Sequence, residues 1–166
     1  MSFLTYLITF LIALTPSVSG AFGIQAVVGG KRFTAALKPS QPYCDTFYLT
    51  ARSRHGGKGT ELQLRCGAIE PTDMLPKTVD CAATHFGHFQ VGDPKRQLQD
   101  EWIAGRGTLQ ATIISFALHS PYHHPRWRIR GTFSGTLDSF NLVSSPINIT
   151  DGQFRASLEG FDCGND

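Results

Sequence analysis

The chain is 166 residues long and carries 15 Lys and Arg against 13 Asp and Glu, a formal charge of +2 with histidine neutral. Charges that nearly cancel leave no global field to draw the protein to nucleic acid or to an anionic membrane. The length suits one hydrophobic core and is short for two.

Residues 3–14 are almost wholly apolar, and no Asp, Glu, Lys or Arg precedes Lys31. The run is too short to span a bilayer, which takes about 20 apolar residues. It closes on Pro16 and the small-residue stretch Ser17-Val18-Ser19-Gly20-Ala21, the layout of a signal-peptide apolar region and its cleavage site. The n-region departs from the usual pattern in having no basic side chain. The expectation is a signal peptide over residues 1–20 and a single secreted β domain over 21–166. No second apolar run of that length occurs, so no membrane span is expected.

All four cysteines, Cys44, Cys66, Cys81 and Cys163, follow the expected cleavage site. An even count in an exported chain reads as two disulfides, for which three connectivities exist. Cys66 with Cys81 is favoured, because both flank a polar loop containing Pro71 and Pro76, which leaves Cys44 with Cys163. No cysteine pair has the short spacing of zinc ligands. Asn148-Ile149-Thr150 is a glycosylation sequon, with Asn148 as the acceptor.

Beyond the leader the chain shows almost no helical periodicity. Short runs of β-branched and aromatic residues alternate with Gly, Pro, Asn and Asp. Residues 22–40 read as a first hairpin or a loosely attached arm, with Gly29-Gly30-Lys31 as a turn. Phe47, Leu49 and Ala51 alternate with polar residues, as do Leu62, Leu64 and Cys66. The glycines between those runs supply a tight connection, so the two form a hairpin. Further strands are expected over 77–83, 85–91, 97–103, 108–119, 126–133, 137–143 and 153–161. Apolar residues on both faces mark 108–119 as central. Eight or nine strands separated by turn signals point to an all-β fold, a small disulfide-stapled antiparallel β-barrel or sandwich. Its expected core includes Leu49, Leu62, Leu64, Phe89, Val91, Ile113, Trp127, Ile129, Phe133, Leu142, Phe154 and Leu158.

Residues 47–102 resemble a family of secreted fungal β-barrel proteins typified by the major Alternaria allergen. The resemblance lies in a strand, a Gly-rich turn, and a strand ending Leu62-Gln63-Leu64-Arg65-Cys66, with Cys81 fifteen positions on. The aromatic strand Phe86-Gly87-His88-Phe89-Gln90-Val91, a polar turn at 93–96 and a strand ending near Trp102 complete it. The chain departs from the family in having only Cys163 where a second-half bridge is usual. It also has Val79-Asp80 where an aromatic commonly precedes the second cysteine. The resemblance implies a compact barrel, a fungal origin and contact with a host as an effector or elicitor, and it implies no enzyme.

Residues that could carry chemistry are few. His119, His123 and His124 form the densest histidine group, yet no carboxylate stands nearby to complete a metal site, and an exposed loop explains them as well. No metal or other cofactor is expected. Arg126, Arg128 and Arg130 alternate in one strand about 7 Å apart, a spacing that suits a polyanion. With His123 and His124 they form the candidate binding patch. A solvated face with cross-strand carboxylate partners explains the same arginines. A secreted ribonuclease would combine Glu101, His85 or His88, and one of those arginines, but several assignments fit equally well. His85 and His88, three apart in a strand, fall on opposite faces.

The reading is therefore a secreted, non-enzymatic effector or elicitor, extracellular with possible later uptake into host cells. It would bind a host protein or a glycan, as a monomer and without nucleic acid. The alternatives are the ribonuclease and a cell-surface carrier or structural protein. A deep apolar cavity would favour a carrier, and a filled interior would favour surface recognition.

Overall fold

The computed structural model describes residues 22–37, 46–55, 58–90, 101–120, 126–139 and 145–159. The expected signal peptide, Cys44 and Cys163 lie outside them, as do His123 and His124. Among the described residues eight strands are formed, β1 Gly23–Val28, β2 Lys31–Ala36, β3 Thr46–His55, β4 Lys58–Gly67, β5 Lys77–Gln90, β6 Glu101–Ser120, β7 Arg126–Ser139 and β8 Ile147–Glu159. No helix long and apolar enough to cross a membrane occurs among the described residues.

The strands lie in one antiparallel sheet in the order β2-β1-β8-β7-β6-β5-β4-β3. Consecutive strands pair from β3 through to β8 and in the β1–β2 hairpin, and β1 pairs with β8 to continue the circuit. The two ends of the sheet approach at a Leu37–Ala51 bridge, so the fold is a nearly closed up-and-down barrel. Of the two expected architectures the barrel is the one formed. Near-closure removes most of the unpaired backbone that an open sheet exposes.

The period-2 pattern sets the wall. Phe47, Leu49 and Ala51 on β3 and Leu62, Leu64 and Cys66 on β4 point inward and are fully buried. The two strands pair from Thr46–Gly67 down to His55–Lys58, which is the expected hairpin. At the other end, residues 22–37 form a true hairpin turned by Gly29 and Gly30, both at positive φ (55° and 77°).

The interior mixes large and small side chains, as a tapering barrel requires. Phe47, Phe133 and Phe154 form a central run, with ring centroids 6.2–6.3 Å apart. Gly131 and Gly152 make room for the rings of Phe154 and Phe133, and Ala26, Ala51, Ala111 and Ala156 are small side chains buried in the same core. Ile69, beyond the end of β4, is buried in the same core. Of the expected core, Leu49, Leu62, Leu64, Ile113, Ile129, Phe133, Phe154 and Leu158 are buried and Trp127 is half-buried against them. Val91, Leu142 and the side chain of Phe89 lie outside the described residues.

Four strand boundaries differ from expectation. The runs 126–133 and 137–143 are not separate strands: β7 continues from Arg126 to Ser139, because the inward series Ile129, Gly131, Phe133 and Leu137 keeps its period, and residues 140–143 lie outside the described residues. The runs 77–83 and 85–91 are one strand, β5, because the inward series Val79, Cys81, Ala83 and His85 is unbroken. Strand β6 extends back to Glu101, through a register shift between Ile103 and Leu109. Strand β8 begins at Ile147, not at 153, because Asp151-Gly152 is no turn but an irregularity within the strand.

Cys66 and Cys81 are directly opposed on β4 and β5 and form a buried disulfide. It closes the loop that contains Ile69. That loop is held by Asp73, whose carboxylate accepts from the Glu70 backbone N–H (2.6 Å) and from Lys77 Nζ (2.7 Å). Both bonds favour the ionised form and hold the Asp73 carboxyl below its ordinary value of 3.8, the backbone bond more than the lysine.

Candidate functional site

The arginine strand is β7. Inward Ile129, Gly131 and Phe133 alternate with Arg126, Arg128, Arg130 and Thr132, so all three arginines lie on the outer wall. The register then separates them. Arg126 faces Glu159 of β8 and pairs with it at 3.0 Å, on the exposed rim. Arg128 is half-buried. Its Nη2 donates to His119 Nε2 at 2.7 Å, and its Nε is buried with no hydrogen-bond partner. A guanidinium only donates, so His119 offers the lone pair of a neutral imidazole at that nitrogen.

Arg130 has the most telling neighbour. Its partner on β8 is Arg155, and on β6 it is Ser115. Directly opposed side chains of like charge destabilise a sheet pair. Neither arginine has a carboxylate partner among the described residues. Across β8, Arg155 meets Gly23 of β1, which has no side chain to offer. Two arginines are thus directly opposed on the wall, and Arg128 follows two residues along.

These residues line a groove of about 610 Å³ on the outer wall. It contains Arg128, Arg130 and Arg155, the hydroxyls of Ser115 and Thr132, the amide of Gln153, and, among the described residues, no carboxylate. A second, smaller groove of about 350 Å³ continues from Thr132 and Gln153 past Ser134 to Asp151. From Arg128 to Ser134 the pair runs roughly 20 Å along the strand. One end is cationic, and the other is polar and closes on the carboxylate of Asp151.

The expected patch is therefore redrawn. Arg128 and Arg130 belong to the site, Arg126 is neutralised by Glu159, and His123 and His124 lie outside the described residues. Arg155 was not anticipated. Its outward alternation with Phe154, Ala156 and Leu158 is visible in the sequence, but nothing there says that β8 pairs with β7 in this register.

The ribonuclease set is not brought together in the version that uses His85. That imidazole is buried inside the barrel, 6.3 Å edge-on from Phe33, with Nδ1 3.2 Å from the Glu61 carbonyl oxygen. The arginines face the opposite side of the sheet. The side chains of His88 and Glu101 lie outside the described residues. Among the described residues no three His, Cys, Asp or Glu side chains converge as metal ligands. Glu61, 2% exposed, is held by Arg52 across the β3–β4 ladder and by Gln63 Nε2 at 2.5 Å, so it is a structural carboxylate. Asn148 is exposed on β8, where its Oδ1 accepts from Thr136 Oγ1 at 3.0 Å.

Fold and site together define an eight-stranded antiparallel barrel with a cationic groove on its outer wall. No protein-family profile, curated protein or solved structure matches the chain.

Proposed function

We propose that the protein is a secreted, non-enzymatic recognition module of the effector or elicitor kind, fungal in origin, that binds a host or cell-wall component through its outer surface. One observation carries this reading. The barrel interior holds packed phenylalanine and aliphatic side chains, whereas the polar groove is on the outer wall. A carrier places its ligand in a concave, mostly apolar cavity, and a hydrolase needs acid, base and charge stabiliser on one face. The opposite facing of His85 and the β7 arginines weighs against the second arrangement.

The leader at residues 1–20 supports export, and the buried Cys66–Cys81 bridge suits an oxidising destination. Exposure of Asn148 suits glycosylation there. The test incubates mature protein separately with insoluble cell-wall polysaccharide, with single-stranded RNA and with an apolar fluorophore. The expected result is saturable sedimentation with the wall material, intact RNA and no fluorophore uptake. Cleaved RNA, or stoichiometric fluorophore binding that spares the outer groove, overturns the reading.

A further inference from the structure

We infer that the groove of Arg128, Arg130 and Arg155 is a binding site for an acidic oligosaccharide, one whose sugars carry carboxylate or sulfate groups. The inference rests on the recognition reading above and names the ligand class of that surface. Three features of the groove select this chemistry.

First, the site presents positive charge without its usual neutraliser. Arg130 and Arg155 are opposed across the β7–β8 ladder, and the groove they line has no carboxylate among the described residues. In a chain whose charges nearly cancel overall, this is a local device. An oxyanion set between two planar guanidiniums accepts paired N–H bonds and removes the repulsion between them. Arg128 adds a third cation, with His119 holding its far nitrogen and fixing its direction.

Second, the polar part of the remaining lining is suited to sugar hydroxyls. Ser115, Thr132 and Gln153 offer donors and acceptors beside the cations, the exposed Ile114 adds an apolar contact, and the smaller groove extends the polar track past Ser134 to Asp151. Third, no aromatic face is offered among the described residues. Phe154 is the aromatic residue at the groove, and its ring is committed to the core against Phe47 and Phe133. Single-stranded nucleic acid is held by stacking its bases on such faces, so the lining favours a glycan over RNA.

The experiment is titration calorimetry of the mature protein with an oligogalacturonide, a heparin-derived oligosaccharide and a neutral β-glucan oligosaccharide. The expected result is saturable, salt-sensitive binding of an acidic ligand and none of the neutral one. The uronate and sulfate arms identify which acid is preferred. The Arg130→Gln, Arg155→Gln double variant should weaken binding roughly tenfold or more, the loss expected for two charge-assisted hydrogen bonds. A control double variant, Arg32→Gln with Arg65→Gln, removes the same charge from β2 and β4 and should change affinity less than about twofold. A melting temperature within the scatter of the parent shows that each variant is folded.

Absence of binding by both acidic ligands overturns the inference, as does equal weakening in the two double variants or equal affinity for the neutral glycan. In those cases wall sedimentation that persists leaves the recognition reading standing on another surface. Loss of both sinks both.

Discussion

Phe154 reaches across the β7–β8 ladder to lay its ring on Gly131. A β-carbon on Gly131 would stand 2.6 Å from the ring's Cζ and 2.5 Å from the Thr112 carbonyl oxygen. Phe133 makes the reciprocal contact with Gly152 in the same ladder. Each glycine is the space its partner's ring occupies, and the pairs draw the wall tight beneath the groove. Gly131→Ala is therefore expected to destabilise the fold by about 1–3 kcal/mol, the cost of overpacking a dense core. Gly67→Ala, whose β-carbon would meet ordinary contacts at 3.7–3.8 Å, should stay within about 0.5 kcal/mol of the parent. Urea unfolding measures both, and a Gly131→Ala protein as stable as the parent would refute the packing argument.

The Arg52–Glu61 pair yields a second expectation. Glu61 is almost fully enclosed, so removing its cation leaves a buried charge without its main compensation. Arg52→Ala should cost about 3 kcal/mol, at the lower end for a broken buried pair because Gln63 keeps one hydrogen bond to the carboxylate. Arg52→Met with Glu61→Met, which removes both charges, should be less harmful than Arg52→Ala alone. A double variant worse than the single one would contradict this order.

Removal of the Cys66–Cys81 bridge by paired Ala substitution should cost about 3 kcal/mol for a loop of this length. At this chain size that corresponds to roughly 10 °C in melting temperature. The bridge sits between directly opposed residues of β4 and β5, so the hairpin register itself should survive. Calorimetry of the double variant against the parent checks the magnitude, and an unchanged melting temperature would show that the bridge does not support the core.

Asp73 sets a pH expectation. Its folded pKa lies below the ordinary 3.8, lowered by the Glu70 N–H and then by Lys77. The loop contacts are therefore complete above the ordinary carboxylate value and are lost as pH falls through the lower, folded value. Above that window Asp73 contributes no pH dependence. Carbon-detected NMR titration of the carboxyl should place its midpoint under 3.8, and Asp73→Asn should raise amide exchange at Glu70. A midpoint at or above the ordinary value would mean that the two hydrogen bonds do not persist in solution.

Much of the wall was legible in the sequence, and the reasons for the exceptions are local. Clean alternation over 47–51, 62–66 and 126–130 gave strands whose inward faces are the ones observed. Strand β6 carries apolar residues on both faces because a bulge between Ile113 and Ser115 switches the inward series from Leu109, Ala111 and Ile113 to Phe116. Asp151-Gly152 has the composition of a turn, yet Asp151 adopts its positive φ of 53° inside β8, where the β7 register shifts. The site was half legible. Alternation shows that Arg128, Arg130 and Arg155 point outward, but which strands lie side by side is decided by barrel closure. The fate of Arg126 and the importance of Arg155 are properties of register, and no short-range pattern encodes register between β7 and β8.

That register supplies the last expectation. If Arg130 and Arg155 repel one another on an empty wall, the pair lowers stability for the sake of what it binds, and reversing one charge should reverse the effect. Arg155→Glu places a carboxylate directly opposite Arg130 and beside Arg128. The substitution should stabilise the fold by about 0.2–1 kcal/mol, the range for opposed charges across a ladder, and the gain should shrink as salt is added. The same change should abolish binding of acidic oligosaccharides, because the new carboxylate occupies the guanidiniums and repels the ligand. Stability and affinity thus move in opposite directions in one variant, which a purely structural role for Arg155 does not allow: losing a structural contact would lower both. Urea unfolding at low and high salt, run beside the calorimetric titration, reads the two quantities. A destabilised Arg155→Glu protein would show that Arg155 supports the wall instead of straining it.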